Sequence, residues 1–474
     1  MKRSPARPSV CKGKGVRGSV SLFLALTVSI FLMLAVVLIE GARENTLLLQ
    51  AEVALDSGVN SAMGEYHKNL WEDYGLLFID CSYKSSLPSY EYLSQHIMAA
   101  VDRNLGQSSG WLALTMQDCS VSQVVLATDD NGAAFYQQAV EAAKAETGIA
   151  ILEQLLPYLT QTEELMVTGE SILGTGSSLD SAIEEANGQV IEVQPEVWGY
   201  NEEGEYVLEQ DAEYETVDIA SPVRSILETS EEFILSQVLS GSSVSSLSID
   251  VSETVSNRNL AEGLGSAEWD DGLTDKVLFL YYVYTYMGNY RDPAGEESLQ
   301  YSMEYIMAGK NSDRKNLASA VSRIFLLRLA DNFAVIQQNA ERVAAAEAAA
   351  AAATILVPYL EPVVKQAFLL SWSYEDSLED VRSLLSGEKV ALLKSLGLND
   401  VKLDYGQYLM ILLLLTGKDR LSVRTMDVIE LAVKQTEGNE NFRFDGCIAS
   451  CLIQGSFADD SGRSYQTDVS LSYY

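Results

Sequence analysis

The hydrophobic pattern of the chain is dominated by residues 19–39, which include no charged residue and only four polar ones. A helix of this length extends roughly 31 Å, which matches the hydrocarbon core of a bilayer at about 30 Å. Apolar residues then recur every three or four positions as far as Leu70, which is the spacing of one helix face. The pattern predicts a transmembrane helix at 19–39 that continues into a stalk helix at 40–78.

Most of the remaining chain has helical periodicity, but residues 111–128 and 441–474 alternate apolar and polar positions as β-strands do. We expect these two β-rich segments to form one antiparallel sheet, because each would cover an edge that the other leaves open. The predicted fold class is α+β, predominantly α-helical, with a small antiparallel β-sheet in an extracytoplasmic helical domain at 79–474. The predicted helices of this domain span residues 83–104, 133–159, 225–239, 276–290, 297–308, 314–338, 341–357, 363–385, 405–415 and 422–436.

Residues 169–275 interrupt the helical pattern with glycine and serine clusters and with a long acidic run. Such a composition is typical of loops, so we interpret this segment as a loop-rich insertion with a hairpin around residues 201–204. The next segment, 276–290, is apolar and aromatic on nearly all sides. It is too short to cross a bilayer comfortably, and we expect it to be a buried core helix.

Charge divides the chain at the apolar stretch. The tail, residues 1–18, has six basic residues and no acidic one, so the positive-inside rule places it in the cytoplasm and the bulk of the chain outside. The whole chain has 32 basic and 67 acidic residues and a net charge of −35. Without the six tail charges, 26 basic residues stand against 67 acidic ones. This surface disfavours nucleic acid as a partner, and solubility, a cationic surface or divalent cations remain open explanations.

Two processing alternatives compete with a retained single-pass anchor in the cell membrane. A cleaved secretory signal would have a shorter apolar core and a small-x-small site after it. Here the apolar run is longer, and residues 39–43 contain no such site. A prepilin peptidase site is suggested by Arg17 and Gly18 before the apolar helix. Pilins usually carry glutamate at the fifth position after that cut, and here the position is Phe23.

Four cysteines lie beyond the anchor, namely Cys81, Cys119, Cys447 and Cys451. Outside the cytoplasm they are candidate disulfide cysteines, and buried thiols are the alternative. Zinc binding at the last two would require one of the two histidines, His67 or His96, to lie close.

The sequence contains no phosphate-binding loop, no dinucleotide-binding glycine motif, no H-E-x-x-H and no nucleophile elbow. The acidic turn at Asp129 lacks the spacing of a calcium loop, and a plain turn is the simpler interpretation. We therefore predict a protein that is not an enzyme and that has no cofactor, no metal site and no catalytic residue.

Several blocks resemble a known group of proteins: residues 17–24, 39–43, 73–76, 301–317, 372–389, 405–414 and 424–427, with Arg328 and Asn332. They resemble an uncharacterised family of single-span proteins of Gram-positive bacteria that are encoded with tight-adherence (Flp) pilus genes. The anchor is similar to TadE/TadG-like pseudopilin proteins. The resemblance implies an envelope protein associated with pilus assembly or secretion, and it implies no catalytic residues.

The expected function is therefore a pseudopilin-like, non-enzymatic structural component of a tight-adherence pilus or a related secretion assembly, anchored in the membrane. Its expected partners are pilus or secretion-system proteins and, through the anchor helix, other copies of the chain. The candidate assembly contacts at the anchor are Phe23, Glu40 and Arg43. The alternative is a membrane-tethered extracellular module that binds cations or surface polymers.

Overall fold

The computed structural model describes residues 17–85, 89–106, 110–144, 159–227, 230–239, 244–267, 272–295 and 299–473. Helices make up most of its regular structure and the sheets are small and antiparallel, so the predicted α+β fold class is confirmed. The chain divides into two compact units. Unit 1 comprises residues 1–65, 89–124 and 450–472, and unit 2 comprises residues 66–88, 125–449 and 473–474. Most of the basic tail, residues 1–16, lies outside the described residues.

The described helices are α1 (Arg17–Met63), α2 (Lys68–Tyr74), α3 (Tyr90–Leu105), α4 (Asp129–Lys144), α5 (Leu159–Ala186), α6 (Glu231–Val238), α7 (Leu273–Tyr286), α8 (Ser302–Ala308), α9 (Asp313–Gln338), α10 (Ala340–Ala353), α11 (Glu361–Ser386), α12 (Tyr405–Leu414) and α13 (Lys418–Lys434). The described strands are β1 (Ile79–Asp80), β2 (Leu114–Leu126), β3 (Val190–Gln194), β4 (Val197–Tyr200), β5 (Tyr206–Gln210), β6 (Glu213–Thr216), β7 (Val390–Ala391), β8 (Lys402–Leu403), β9 (Cys447–Asp459) and β10 (Ser464–Ser472).

The helix α1 is unbroken where the apolar stretch meets the predicted stalk. Its side chains from Val20 to Leu38 are almost all exposed. Among the described residues it is the one helix that is long and apolar enough to cross a membrane. Inside this stretch the hydroxyl of Thr27 donates to the carbonyl of Phe23 at 3.0 Å, so the polar group is satisfied within the helix, as lipid requires.

The second half of α1 packs on α3 and β10 within unit 1. Leu47, Ala51 and Leu55 are fully buried, and their spacing of four residues places them on one helix face. Gly58 allows a close approach to α3, because a Cβ there would lie 2.6 Å from a methyl group of Val101. The stalk face that the sequence predicts is therefore buried against its own unit.

The two predicted β-rich segments do meet, as β2 pairs with β9. The hydroxyl of Thr115 reaches the carbonyl of Ala458 at 3.3 Å, and that of Ser122 reaches Leu452 at 3.2 Å, which is an antiparallel order. On its other side β9 pairs with β10 from Ser450 to Ala458. The prediction of a sheet that joins 111–128 to 441–474 is confirmed.

The predicted stalk helix at 40–78 is wrong in its length. The helix α1 ends at Met63, and the separate helix α2 begins at Lys68 and belongs to unit 2. His67 caps the start of α2, because its ring nitrogen Nδ1 accepts a hydrogen bond from the amide of Leu70 at 3.4 Å. Apolar spacing continues through this break, so periodicity alone could not locate it. Gly75, in the left-handed conformation, ends α2.

Unit 2 has an extended hydrophobic core that is built mainly from its helices. The predicted core helix at 276–290 is present as α7, and its side chains from Val277 to Leu280 are buried. Gly309 and Gly387 end α8 and α11 in the left-handed conformation. The helix predicted at 422–436 begins four residues earlier, at Lys418. Of the helix predicted at 133–159, residues 145–158 lie outside the described residues.

The predicted insertion at 169–275 is more regular than its composition suggests. Its first part belongs to α5, a helix of 28 residues. The strands β3 and β6 pair with each other, as do β4 and β5. The turn between β4 and β5 is the predicted hairpin at 201–204, where Gly204 has a φ of +80°. The predicted helix near 225–239 is present as the shorter α6.

Candidate functional site

A buried arginine connects the stalk half of α1 to the β-sheet of unit 1. The Nη2 atom of Arg43 donates to Oδ2 of Asp459 at 2.8 Å, and its Nε atom donates to the carbonyl oxygen of Trp111 at 2.9 Å. The centre of its guanidinium group lies 5.8 Å from the centroid of the Trp111 ring. Arg43 is 8% exposed. We call Arg43, Asp459 and Trp111 the stem joint.

A ring of surface charges surrounds the stem joint. Glu40 lies 3.6 Å from Nη1 of Arg43 and 3.2 Å from Nη1 of Arg463. Arg463 also forms an ion pair with Glu44, one helical turn after Glu40. These charges link the start of the stalk to the turn between β9 and β10, so the direction in which α1 leaves unit 1 is fixed by charge as well as by packing.

Asp459 is held as a carboxylate by the turn that it begins. Its Oδ1 atom accepts hydrogen bonds from the hydroxyl of Ser461 at 2.6 Å and from the backbone amides of Ser461 and Arg463 at 2.9 and 3.0 Å. The hydroxyl bond of Ser461 contributes most, with a smaller effect from Arg43, and together they lower the pKa of Asp459 to about 2. The stem joint is therefore an ion pair at every physiological pH.

The structure places the three candidate assembly contacts in different environments. Phe23 is 70% exposed on the apolar half of α1. Glu40 and Arg43 both have partners within unit 1. Sequence reasoning identified Arg43 but missed Asp459 and Trp111, because no local signal connects residues 68 and 416 positions away in the chain. A contact of these residues with another subunit stays a prediction.

The four candidate disulfide cysteines are free thiols and are buried. Burial raises the pKa of Cys119 to about 11 and that of Cys451 to about 12. It also raises the pKa of the Cys447 thiol, and the thiol of Cys81 donates to the carbonyl of Gly446 at 2.7 Å. Thiols in such environments stay protonated and are poor nucleophiles. A disulfide among these four cysteines stays a prediction.

Each of the two histidines has partners within its own unit. His67 caps α2 and its ring packs on Phe442, with a centroid distance of 4.7 Å; burial lowers its pKa. The Nδ1 atom of His96 lies 2.7 Å from a carboxylate oxygen of Glu65 in unit 1. No group of three metal-ligating side chains occurs among the described residues.

One cleft of unit 2 is about 640 Å³ and is lined in part by Tyr74, Tyr284, Tyr405 and Arg291. Burial raises the pKa of Tyr74 to about 12 and raises that of Tyr284 and Tyr405. These phenols therefore stay protonated, and that of Tyr405 donates a hydrogen bond to Glu304. Nη1 of Arg291 donates to the carbonyl of Leu385 at 2.9 Å, which ties the cleft wall to the end of α11.

Opposite charges on neighbouring helices of unit 2 are paired. Arg328 on α9 lies 2.9 Å from Asp380 on α11. Lys310 pairs with Glu231, and Arg314 lies 3.0 Å from Glu232. The acidic turn at Asp129 also serves packing, because its carboxylate accepts hydrogen bonds from the amides of Leu126 and Gly263 at 2.7 and 3.0 Å.

Comparison with known proteins gives one family. A model described as a family of unknown function, DUF5702, matches residues 212–397 and 397–459, which is just over half of the chain. No curated protein and no solved structure matches the chain. The matched residues include most helices of unit 2 and the whole of β9.

Proposed function

The chain belongs to the DUF5702 family, and we propose that it is a membrane-anchored, non-enzymatic structural component of an assembly outside the membrane. The assembly that we propose is a tight-adherence type pilus or a related secretion machine. The resemblance of the anchor to pseudopilin-like proteins supports this choice, and the histidine and cysteine environments give no support to a catalytic role.

The observation that carries the proposal is the continuity of α1. Its first half is apolar and exposed, and its second half is buried in unit 1 and fixed by the stem joint. A tethered enzyme or binding module needs only a flexible linker between membrane and domain. A rigid helix instead sets the position of the folded unit relative to the membrane, which a component of a regular assembly requires.

The proposed orientation follows from charge. Six basic residues precede the apolar stretch and no acidic residue does, so the tail is proposed to lie in the cytoplasm and the bulk of the chain outside. The proposed partners are other proteins of the pilus or secretion machine and the membrane itself. Self-association is proposed through the exposed apolar face of α1.

The proposal is tested by deleting the gene and restoring it in two forms. One form is the full chain, and the other begins at Glu40 behind a cleavable secretion signal, so that it is exported without an anchor. We expect the deletion to abolish surface appendages and adhesion, and only the anchored form to restore them. Normal appendages in the deletion strain, or full rescue by the unanchored form, would contradict the proposal.

A further inference from the structure

A second cleft of unit 2 has an unusual charge for so acidic a chain. It measures about 380 Å³ and lies between the loop 255–260, the end of α8 and the first half of α13. Its lining includes Arg420 and Arg424, with Ser256, Asn257 and Asn131 as uncharged polar groups. We call it the arginine cleft.

Arg424 is held in place by one part of its guanidinium group. Its Nη1 atom donates to the carbonyl oxygens of Ile306 and Met307 at 3.1 and 2.7 Å, which belong to the last turn of α8 and have no partner within that helix. The group lies over Gly309, where a Cβ would come within 2.5 Å of Nη2. Nη1 is thus engaged, whereas Nε and Nη2 form no hydrogen bond within the described part of the chain. The Nε–Nη2 edge is the fork that binds oxyanions in a bidentate manner.

Arg420 adds a second positive charge without a carboxylate partner among the described residues, and it is exposed at the cleft. Burial lowers the pKa of Arg424, and the like charges of Arg420 and Arg323 lower it further. Asp419 is the carboxylate among the described lining residues. Arg420 and Arg424 thus bring two guanidinium groups to the cleft against the one carboxylate of Asp419, and an anion would be attracted to them.

The other charges near the cleft already have partners. Arg258, which also lines it, is paired with Glu430 and lies 2.7 Å from Asp445. The buried carboxylate of Asp427 accepts hydrogen bonds from the amide of Ser256 at 2.9 Å and from the hydroxyl of Tyr305 at 2.8 Å. The charged lining groups without an ion pair among the described residues are therefore Arg420, Arg424 and Asp419.

We propose that the arginine cleft binds a small phosphate ester. The Nε–Nη2 edge of Arg424 and the guanidinium group of Arg420 hold the phosphate, whose negative charge is opposite to theirs. The cavity is larger than phosphate alone requires, and Ser256, Asn257 and Asn131 suit the hydroxyl groups of a polyol or sugar. The acidic surface of the chain repels long polyanions, which restricts the ligand to a small molecule.

The test is calorimetric titration of the full chain in nanodiscs with glycerol 3-phosphate. Glycerate, inorganic phosphate and glycerol serve as comparison ligands that change one chemical feature each. We expect glycerol 3-phosphate to bind at least about tenfold more tightly than glycerate or inorganic phosphate, and glycerol not to bind. Arg420→Gln should weaken binding by about tenfold or more, since a hydrogen bond to a charged group has that value.

Two variants accompany Arg420→Gln. Arg424→Lys keeps the charge but removes the fork, and we expect it to weaken binding as well; circular dichroism checks that α8 and α13 remain folded. Arg342→Gln makes the same charge change at a distant exposed ion pair with Asp376 and should leave affinity unchanged. Absence of glycerol 3-phosphate binding, equal affinity for inorganic phosphate, or unchanged affinity in Arg420→Gln would overturn the proposal.

Discussion

Arg328 shows how unit 2 accommodates a charge in its core. The side chain has no exposed surface, and it lies 3.0 Å from Asp331 and 2.9 Å from Asp380. Its Nη1 atom also donates to the carbonyls of Ala391 and Leu392 at 2.9 and 2.8 Å. A buried charge is tolerated only when it is paired and hydrogen-bonded in this way. The contribution of the Ala391 and Leu392 carbonyls could not be predicted from the sequence, because it depends on the return of the chain after α11.

We predict that Arg328→Met destabilises the protein by about 3–5 kcal/mol, since it leaves the buried carboxylate of Asp331 without its ion pair and Asp380 with Lys394 alone. The matched control is Arg342→Met, which removes an exposed ion pair with Asp376 and should cost less than about 1 kcal/mol. The measurement is the urea midpoint of the full chain in detergent. Equal losses in the two variants would show that burial of Arg328 has no energetic role.

Glu304 has a buried carboxyl group, and the order of charged residues in the sequence does not reveal its burial. Its Oε1 atom accepts hydrogen bonds from the amide of Tyr290 and the hydroxyl of Tyr405, each at 2.9 Å. Its Oε2 atom has no hydrogen-bond partner within the described part of the chain. Burial raises its pKa to about 7, although the two hydrogen bonds oppose the shift.

The raised pKa predicts a pH dependence of stability. Between the ordinary pKa of glutamate and about pH 7 the folded state binds a proton at Glu304 that the unfolded state has released, so the free energy of unfolding falls as pH rises through this window. Glu304→Gln removes the titration. We expect it to abolish this fall and to be more stable than the wild type at pH 8 by on the order of 3 kcal/mol. Parallel stability curves for the two proteins from pH 5 to 8 would contradict the assignment.

At the scale of elements, α5 marks the limit of composition as a guide. Its glycines suggested a loop, yet the helix runs from Leu159 to Ala186. Gly169 explains the difference, because a Cβ there would collide with the carbonyl oxygen of Leu326 on α9. The glycine permits a close helix crossing and does not signal a turn. The strand segments, α7 and α9 were predictable, because their periodicity or length was clear without knowledge of the neighbouring element.

Two substitutions in α5 separate these roles of glycine. Gly169→Ala should destabilise the protein by about 1–3 kcal/mol, because the added methyl group forces α5 and α9 apart. Gly174→Ala, where no atom lies within 4 Å of the added Cβ, should stabilise it by about 0.5–1 kcal/mol through helix propensity. Thermal unfolding followed by circular dichroism distinguishes the two. The crossing would be disproved if both variants were stabilised.

At the scale of the whole molecule, the sequence predicts an anchor, an acidic folded part and their order in the chain. The hydrophobic pattern does not show which side of the membrane each part occupies. The positive-inside rule predicts the side from the basic residues of the tail. The burial of Cys81, Cys119, Cys447 and Cys451 provides a means to test it, because a labelling reagent should not reach them in the folded protein.

We predict that Cys11, in the basic tail, reacts with a membrane-impermeant maleimide only after cells are lysed. The matched reporter is Glu202→Cys in the exposed turn between β4 and β5, which should react in intact cells. Mass spectrometry of the labelled chain identifies the site. Labelling of Cys11 in intact cells, with no labelling at position 202, would reverse the proposed orientation.

The stem joint has a consequence for the order in which the protein is made. Arg43 leaves the ribosome early, and its partner Asp459 follows 416 residues later. At about 5–20 residues per second, this delay is roughly 20–80 s. Throughout that time β10 has not yet been made, and the face of α1 that packs on β10 in the folded protein is open to other proteins. The newly made chain therefore presents to chaperones and translocation factors a surface that the finished protein conceals.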